Sequence, residues 1–267
     1  MAKVGLIAGG GTLPIEFILS AKNLGEKVVV FALNGMASKE LEKLADRVYW
    51  LEINQYKKFL FLLLKERIRH IALVGKVPKN VVYSSSEGAD EEYVKSLGGL
   101  PDRKDYSILE EVTRHLKKIG VEVVDNMRYL SHLIPEKSLL TDTQPDEMTM
   151  EDIKFGYDTA KRIAGMDIGQ TVIVKHKAVV AVEAMEGTDA AIERAYDIAG
   201  EDCVMVKVSR PDQDMRWDVP TIGPDTIKLL ARSKYSALAI ESGKMYVVEK
   251  ERVITEADAA GISIEAI

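Results

Sequence analysis

One cysteine, four histidines, no long hydrophobic run and no basic stripe leave several large functional classes with little to build on in this chain of 267 residues. With Cys203 alone no disulfide can form within the chain, and its place at the head of the apolar run 204–208 suits a buried structural thiol. His70, His115, His132 and His176 lack metal-ligand spacing, which argues against a zinc site, and none stands beside a candidate nucleophile. The net charge is −6 and no Lys/Arg stripe with interleaved aromatics occurs, so no nucleic-acid partner is expected. The apolar run 59–64 is far short of a membrane span, and the N-terminus enters a strand-like segment without a signal-peptide pattern. A cytoplasmic protein is the expectation. What is present is 46% apolar residues, enough for a full core in one large or two medium domains.

The first half reads as short apolar strands alternating with helices: strand 4–7, helix 14–24, strand 27–33, strand 47–53, helix 55–69, strand 71–75, helix 106–119 and strand 121–125. This is βαβ grammar and predicts a Rossmann-like open parallel sheet with helices on its faces. A long polar insertion between Gly75 and Tyr106 has the length of a lid or binding segment. The stretch 134–147, with Pro135 and Pro145 and no periodicity, is the expected linker between domains 1–133 and 148–267. Beyond it the grammar changes. A helix at 150–163 precedes a hairpin of strands 171–175 and 178–183 turning at His176 and Lys177. Helix 188–199 and strand 204–208 follow. Strands 237–241 and 245–248 are expected to turn through Ser242, Gly243 and Lys244, and a helix from 255 leads to strand 263–266. The second domain is therefore read as mixed-sheet α+β, and the chain as a two-domain α/β protein.

Four motifs carry chemistry. Gly9, Gly10, Gly11 and Thr12 lie between a strand and a helix, where backbone N–H groups can hold a phosphate. The cluster departs from the dinucleotide fingerprint, because Thr12, Leu13 and Pro14 replace the last glycine and the second strand ends without a ribose acid; Walker A spacing is also absent. Gly75 and Lys76, with Asp125 and Asn126, fall at the carboxyl ends of predicted parallel strands, the edge where open α/β sheets place ligands. Glu183, Glu186, Gly187, Thr188 and Asp189 crowd a helix start and suit a cap, a metal or a sugar hydroxyl. The stretch 207–223 packs Asp212, Asp214 and Asp218 with Lys207, Arg210 and Arg216 between Pro211 and Pro220 or beside them. If extended, it projects Asp212, Asp214, Arg216 and Asp218 to one side. Carboxylates so placed can hold Mg²⁺ or Mn²⁺ while cations neutralise phosphate, although a solvated acidic turn has the same composition.

Gly-Gly-Gly at 9–11, Gly-Lys-Val at 75–77, Gly-Gln-Thr-Val at 169–172, Glu-Gly-Thr-Asp at 186–189 and Arg-Trp-Asp-Val-Pro-Thr-Ile-Gly at 216–223 stand in an order that spans the chain. In this order the chain resembles the UDP-2,3-diacylglucosamine pyrophosphatases of lipid A biosynthesis of the LpxI type, unrelated to the calcineurin-like phosphoesterases. The resemblance implies Mg²⁺-dependent hydrolysis of a lipid-linked UDP-sugar to UMP and 2,3-diacylglucosamine 1-phosphate, with substrate between the glycine-loop domain and a second domain carrying the acidic loop. It also implies a functional role for Asp218, as metal ligand or orienter of water. Asp214 is the expected catalytic helper, and Asp214 and Glu183 are expected to share the metal. Gly10, Gly11, Thr12, Gly75, Lys76, Asn126, Glu186, Gly187, Thr188, Asp189, Lys207 and Arg216 are the expected substrate contacts, with Lys207, Arg210 and Arg216 as phosphate clamps. Peripheral contact with the inner membrane and a homodimer stay open. A non-catalytic UDP-sugar sensor and, more weakly supported, a nicotinamide-dependent oxidoreductase are the competing readings.

Overall fold

The computed structural model describes residues 2–77 and 105–267, so most of the polar insertion expected as a lid or binding segment, at 78–104, lies outside the described residues. The chain divides into two units. One comprises Met1–Ser131 and Met215–Asp218, the other His132–Asp214 and Val219–Ile267.

In the first unit β1 (Lys3–Ala8), α1 (Leu13–Asn23), β2 (Lys27–Leu33), α2 (Leu41–Leu44), β3 (Arg47–Leu51), α3 (Tyr56–Glu66), β4 (His70–Val74), α4 (Asp105–Lys118), β5 (Glu122–Val123) and α5 (Met127–Leu130) follow one another. The strands form one parallel sheet in the order β3-β2-β1-β4-β5. A strand covered on both faces needs an unbroken apolar run, and β2 is buried from Val28 to its end. On one side α3 buries Phe59, Leu62 and Leu63 at helical spacing against Phe31, Ile71, Leu116 and Val123. Glu66 continues this buried stripe and is satisfied there by Arg47, Tyr49 and Lys3. Sequence direction along the sheet reverses between β1 and β4, so the loops that follow these strands meet at the topological switch point.

The second unit contains β6 (Ser138–Leu139), α6 (Glu147–Gly165), β7 (Thr171–Lys175), β8 (Ala178–Val182), α7 (Thr188–Ala199), β9 (Val204–Lys207), β10 (Thr221–Ile222), α8 (Pro224–Arg232), β11 (Ala237–Ile240), β12 (Tyr246–Val247), α9 (Lys250–Ala259) and β13 (Ser263–Ala266). Its sheet runs β6-β13-β11-β9-β7-β8, with β9, β11 and β13 parallel and β6, β7 and β8 adding antiparallel pairs. Alternation along β9 and β11 feeds two cores. Val204, Val206, Ala237 and Ala239 face α6, whereas Met205, Leu238 and Ile240 join residues of α7, α8 and α9. Gly156 lets α6 approach the sheet, because a Cβ there would stand 2.6 Å from Val206 Cγ2. His176 and Lys177 turn β7 into β8 with φ of 51° and 56°, the left-handed pair of a primed hairpin turn, and the buried Asp152 carboxylate accepts both their N–H groups.

Two expectations are corrected, and a third is refined. The stretch 134–147 is not a free linker: β6 pairs with β13, Thr141 Oγ1 accepts from Ile264 N, and Asp146 caps α6 by accepting from Thr149 N. Strands 237–241 and 245–248 turn through 242–244 as expected but pair apart, since β11 sits between β9 and β13 while β12 pairs in parallel with β10. The acidic loop does not belong wholly to the second domain. Trp217 is 2% exposed in the core of the first unit and takes Met215–Asp218 with it.

Candidate active site

At the carboxyl edge of the first unit's sheet, the loops after β1 and β4 close on each other. Gly9 N donates to Val74 O, Gly10 N to Lys76 O and Lys76 N to Gly10 O, each at 2.9 Å. The glycines are required by this contact: a Cβ on Gly9 would lie 2.7 Å from Lys76 O, and one on Gly75, at φ 100°, 2.8 Å from Gly10 O. The N–H groups of Gly9 and Gly10 are therefore engaged by backbone, which corrects the expectation that they cradle a phosphate. Gly11, at φ 88° with open space where a Cβ would stand, leads through Thr12 into α1. Lys76 is exposed beside them.

Asn126, just past β5, ties a distant segment to this edge. It is buried at 3% exposure, and its Nδ2 donates to Leu73 O at 3.1 Å and to Arg216 O at 2.8 Å. Two carbonyl acceptors fix which end of the amide is nitrogen. Among the described residues its buried Oδ1 has no hydrogen-bond partner. The Arg216 guanidinium lies 4.4 Å from the centroid of the Trp217 ring, and that ring is anchored in the core. Asp218 follows, exposed and at φ 50°, a left-handed conformation that Asp tolerates better than most residues. Thus Asn126, Gly75, Lys76, Gly11, Thr12, Arg216 and Asp218 all belong to the first unit. Asp214 belongs to the second, where neighbouring Gln213 pairs with Gln170 and Arg210 pairs with Asp167 at 3.0 Å.

A separate polar cluster sits in the second unit, where the carboxyl end of β9 meets the start of β7. Lys207, 7% exposed, donates to Thr171 Oγ1 at 3.0 Å and Thr188 Oγ1 at 2.8 Å and stands 3.6 Å from Glu183. Thr188 in turn donates to Glu183 Oε1 at 2.7 Å. Burial opposes ionisation of Glu183, but the Lys207 ammonium and the surrounding Thr171 and Thr188 hydroxyls outweigh it and hold the carboxyl below its ordinary range. Lys207 is therefore the buried ion-pair partner of Glu183. Gly169 makes the cluster possible, since its backbone packs so tightly that a Cβ would fall 1.8 Å from Glu183 O. Glu186 pairs with Arg194, and Gly187, at φ 85°, turns the chain into α7 ahead of Thr188 and the exposed Asp189. Along the same sheet edge Glu241 accepts from Lys161 at 2.9 Å and from the N and Oγ of Ser209, both at 2.8 Å.

Among the described residues no group of three or more His, Cys, Asp or Glu side chains is placed to hold a metal ion. Glu183 is engaged by Lys207 and Thr188. Sequence reasoning missed Trp217, Lys161, Ser209 and Glu241. A tryptophan between an arginine and an aspartate was the one available signal that an apolar anchor lay within a polar loop.

Models of two domains cover the chain: the LpxI N-terminal domain matches residues 3–133 and the LpxI C-terminal domain residues 136–265. A curated relative from Caulobacter vibrioides, described as UDP-2,3-diacylglucosamine pyrophosphatase LpxI, is 31% identical over 277 residues, covering 99% of this chain and 97% of the relative. Among solved structures, the biotin carboxylase domain of Hydrogenobacter thermophilus 2-oxoglutarate carboxylase aligns at 16% identity with a TM-score of 0.29, over 74% of this chain and 41% of that one. Thermotoga maritima N5-carboxyaminoimidazole ribonucleotide synthetase aligns at 18% identity with a TM-score of 0.26, over 70% of this chain and 42% of that one. The chain spans less than half the length of these two structures, and likeness at such scores carries no argument.

Proposed function

We propose that this chain, which belongs to the LpxI family, hydrolyses the pyrophosphate of UDP-2,3-diacylglucosamine to UMP and 2,3-diacylglucosamine 1-phosphate in lipid A biosynthesis. The observation that supports a site for it is the pinning of Arg216 by Asn126 and of Trp217 by the core, which brings Asp218 into the unit that holds both glycine loops. Asp218 is assigned to orient the attacking water, or to hold a divalent ion. Lys76 and Arg216 are assigned to the phosphates, with Gly11 and Thr12 at the head of α1 as further substrate contacts. Asp214 remains a candidate helper from the adjoining sequence. The protein is read as cytoplasmic, meeting its lipid at the inner membrane surface; among the described residues no helix is long and apolar enough to cross a membrane.

Mg²⁺ characteristically takes one or two carboxylates and completes its shell with phosphate oxygens and water, so the exposed Asp218 fits such an ion although no three-acid cage is built. An ion so held would neutralise charge developing on the phosphates. The chain's own contribution is to orient substrate and water. In the proposed reaction the water oxygen bonds to the sugar-side phosphorus, the bond from that phosphorus to the bridging oxygen breaks, and the bridging oxygen leaves with UMP. Hydrolysis in ¹⁸O-water should therefore label the sugar phosphate and not UMP, and excess EDTA should abolish turnover. Label in UMP would move the attack to the other phosphorus. Binding of the UDP-sugar lipid without turnover would leave a sensor in place of an enzyme.

A further inference from the structure

We propose that the outer face of α3 docks the protein on an anionic phospholipid surface. The helix buries Phe59, Leu62, Leu63 and Glu66, yet it leaves Phe61 64% and Leu64 66% exposed. Single exposed apolar side chains are ordinary, but these two are three positions apart and share a face. The other helical neighbours of Phe61, at spacings of three and four, are Lys57, Lys58 and Lys65, all exposed. Arg67 and Arg69 extend the exposed cations past the helix end. Glu66 is the one acid from 57 to 69, and it is buried and engaged by Arg47, Tyr49 and Lys3. A chain of net charge −6 thus carries an exposed segment whose charges are all positive around an apolar pair.

Charge complementarity selects the occupant. A two-fold contact between copies would bring the lysines of one face against those of the other, and the apolar pair is small beside the roughly 1,200 Å² that a stable protein interface buries. An anionic bilayer instead attracts each cation and accepts Phe61 and Leu64 in its interfacial layer. That the proposed substrate is itself a membrane lipid makes such docking useful, and to that extent the inference rests on the preceding reading.

Cosedimentation of the full chain with substrate-free vesicles tests the surface directly. Vesicles of equal parts phosphatidylglycerol and phosphatidylcholine should bind the protein, phosphatidylcholine alone should not, and added salt should release it. Lys58→Gln with Lys65→Gln should weaken binding about twenty-five-fold, at about fivefold per cation. Phe61→Ser with Leu64→Ser should weaken it comparably, with unchanged circular dichroism and thermal unfolding. No binding to the anionic vesicles, binding that neither pair of substitutions alters, or a dimer dissociated by Phe61→Ser with Leu64→Ser would each overturn the proposal. Hydrolysis of detergent-dispersed substrate is measured in parallel. Turnover without vesicle binding would reject the surface and keep the activity, whereas vesicle binding without turnover would do the reverse.

Discussion

Asp218 illustrates how a single residue combines a chemical and a conformational demand. Its φ of 50° disfavours residues such as Ala but is accessible to Asn. Asp218→Asn should therefore keep the fold and lower kcat by about 10²-fold or more while KM changes little, as expected when a group acting on the reacting water is removed. Asp218→Ala should show the same loss plus a lowered urea midpoint, and near wild-type kcat in the Asn variant would displace the site. At Lys207 the demand is electrostatic. Lys207→Met leaves the Glu183 carboxylate buried without its counter-charge, so unfolding free energy should fall by about 3–5 kcal/mol, and adding Glu183→Gln should recover part of it in a double-mutant cycle. The sequence marks Asn126 and Arg216 separately, each by its place beside a strand or in a charged loop. The hydrogen bond between them is not legible, because ninety positions of chain separate the two and no local spacing encodes the contact.

Among the elements, those bounded by their own punctuation are the ones read correctly. The 188–199 helix is flanked by Gly187 and Gly200, both at positive φ, and the predicted and observed limits coincide. The β7–β8 hairpin is equally local, but the carboxylate that stabilises it comes from α6. Asp152→Ala should cost about 1–3 kcal/mol in urea unfolding by removing charge-assisted bonds to His176 N and Lys177 N, whereas Asp152→Asn should cost less because one acceptor oxygen remains. The last helix begins five positions earlier than its expected start at 255, and the last pair of strands was read without partners. Ser242, Gly243 and Lys244 do turn the chain, with Gly243 at φ 71°, but a turn signal does not choose a partner strand. β12 finds β10, a two-residue strand made from the Thr221 and Ile222 of a motif read as chemistry alone.

For the whole molecule the alternation of strand and helix was sufficient to read a parallel sheet in the first half and a mixed one in the second, since both patterns follow from which faces must be covered. Long-range charge pairing was not legible, and it shapes acid stability. The Tyr49 hydroxyl, then Arg47 and Lys3, outweigh the burial that opposes ionisation and lower Glu66 from 4.5 to about 2. A depressed carboxyl pKa contributes stability above the unfolded value that is lost as pH falls through the folded one, so the window lies between about pH 4.5 and 2. Denaturant unfolding at successive pH values in that window should show a shallower decline for Glu66→Gln than for wild type. Equal slopes would remove Glu66 from the account of acid sensitivity.

The core position of Trp217 also bears on inheritance. The two family models meet near residue 135, a natural point at which to exchange halves between relatives. The first half alone, however, encodes an unfinished core, because the ring that fills it is written in the second half. A hybrid whose new second half brings a much smaller residue at 217 inherits a cavity worth about 3–5 kcal/mol, even if each half is sound in its own parent. Exchange is thus least costly between partners matched at that one position and its lining.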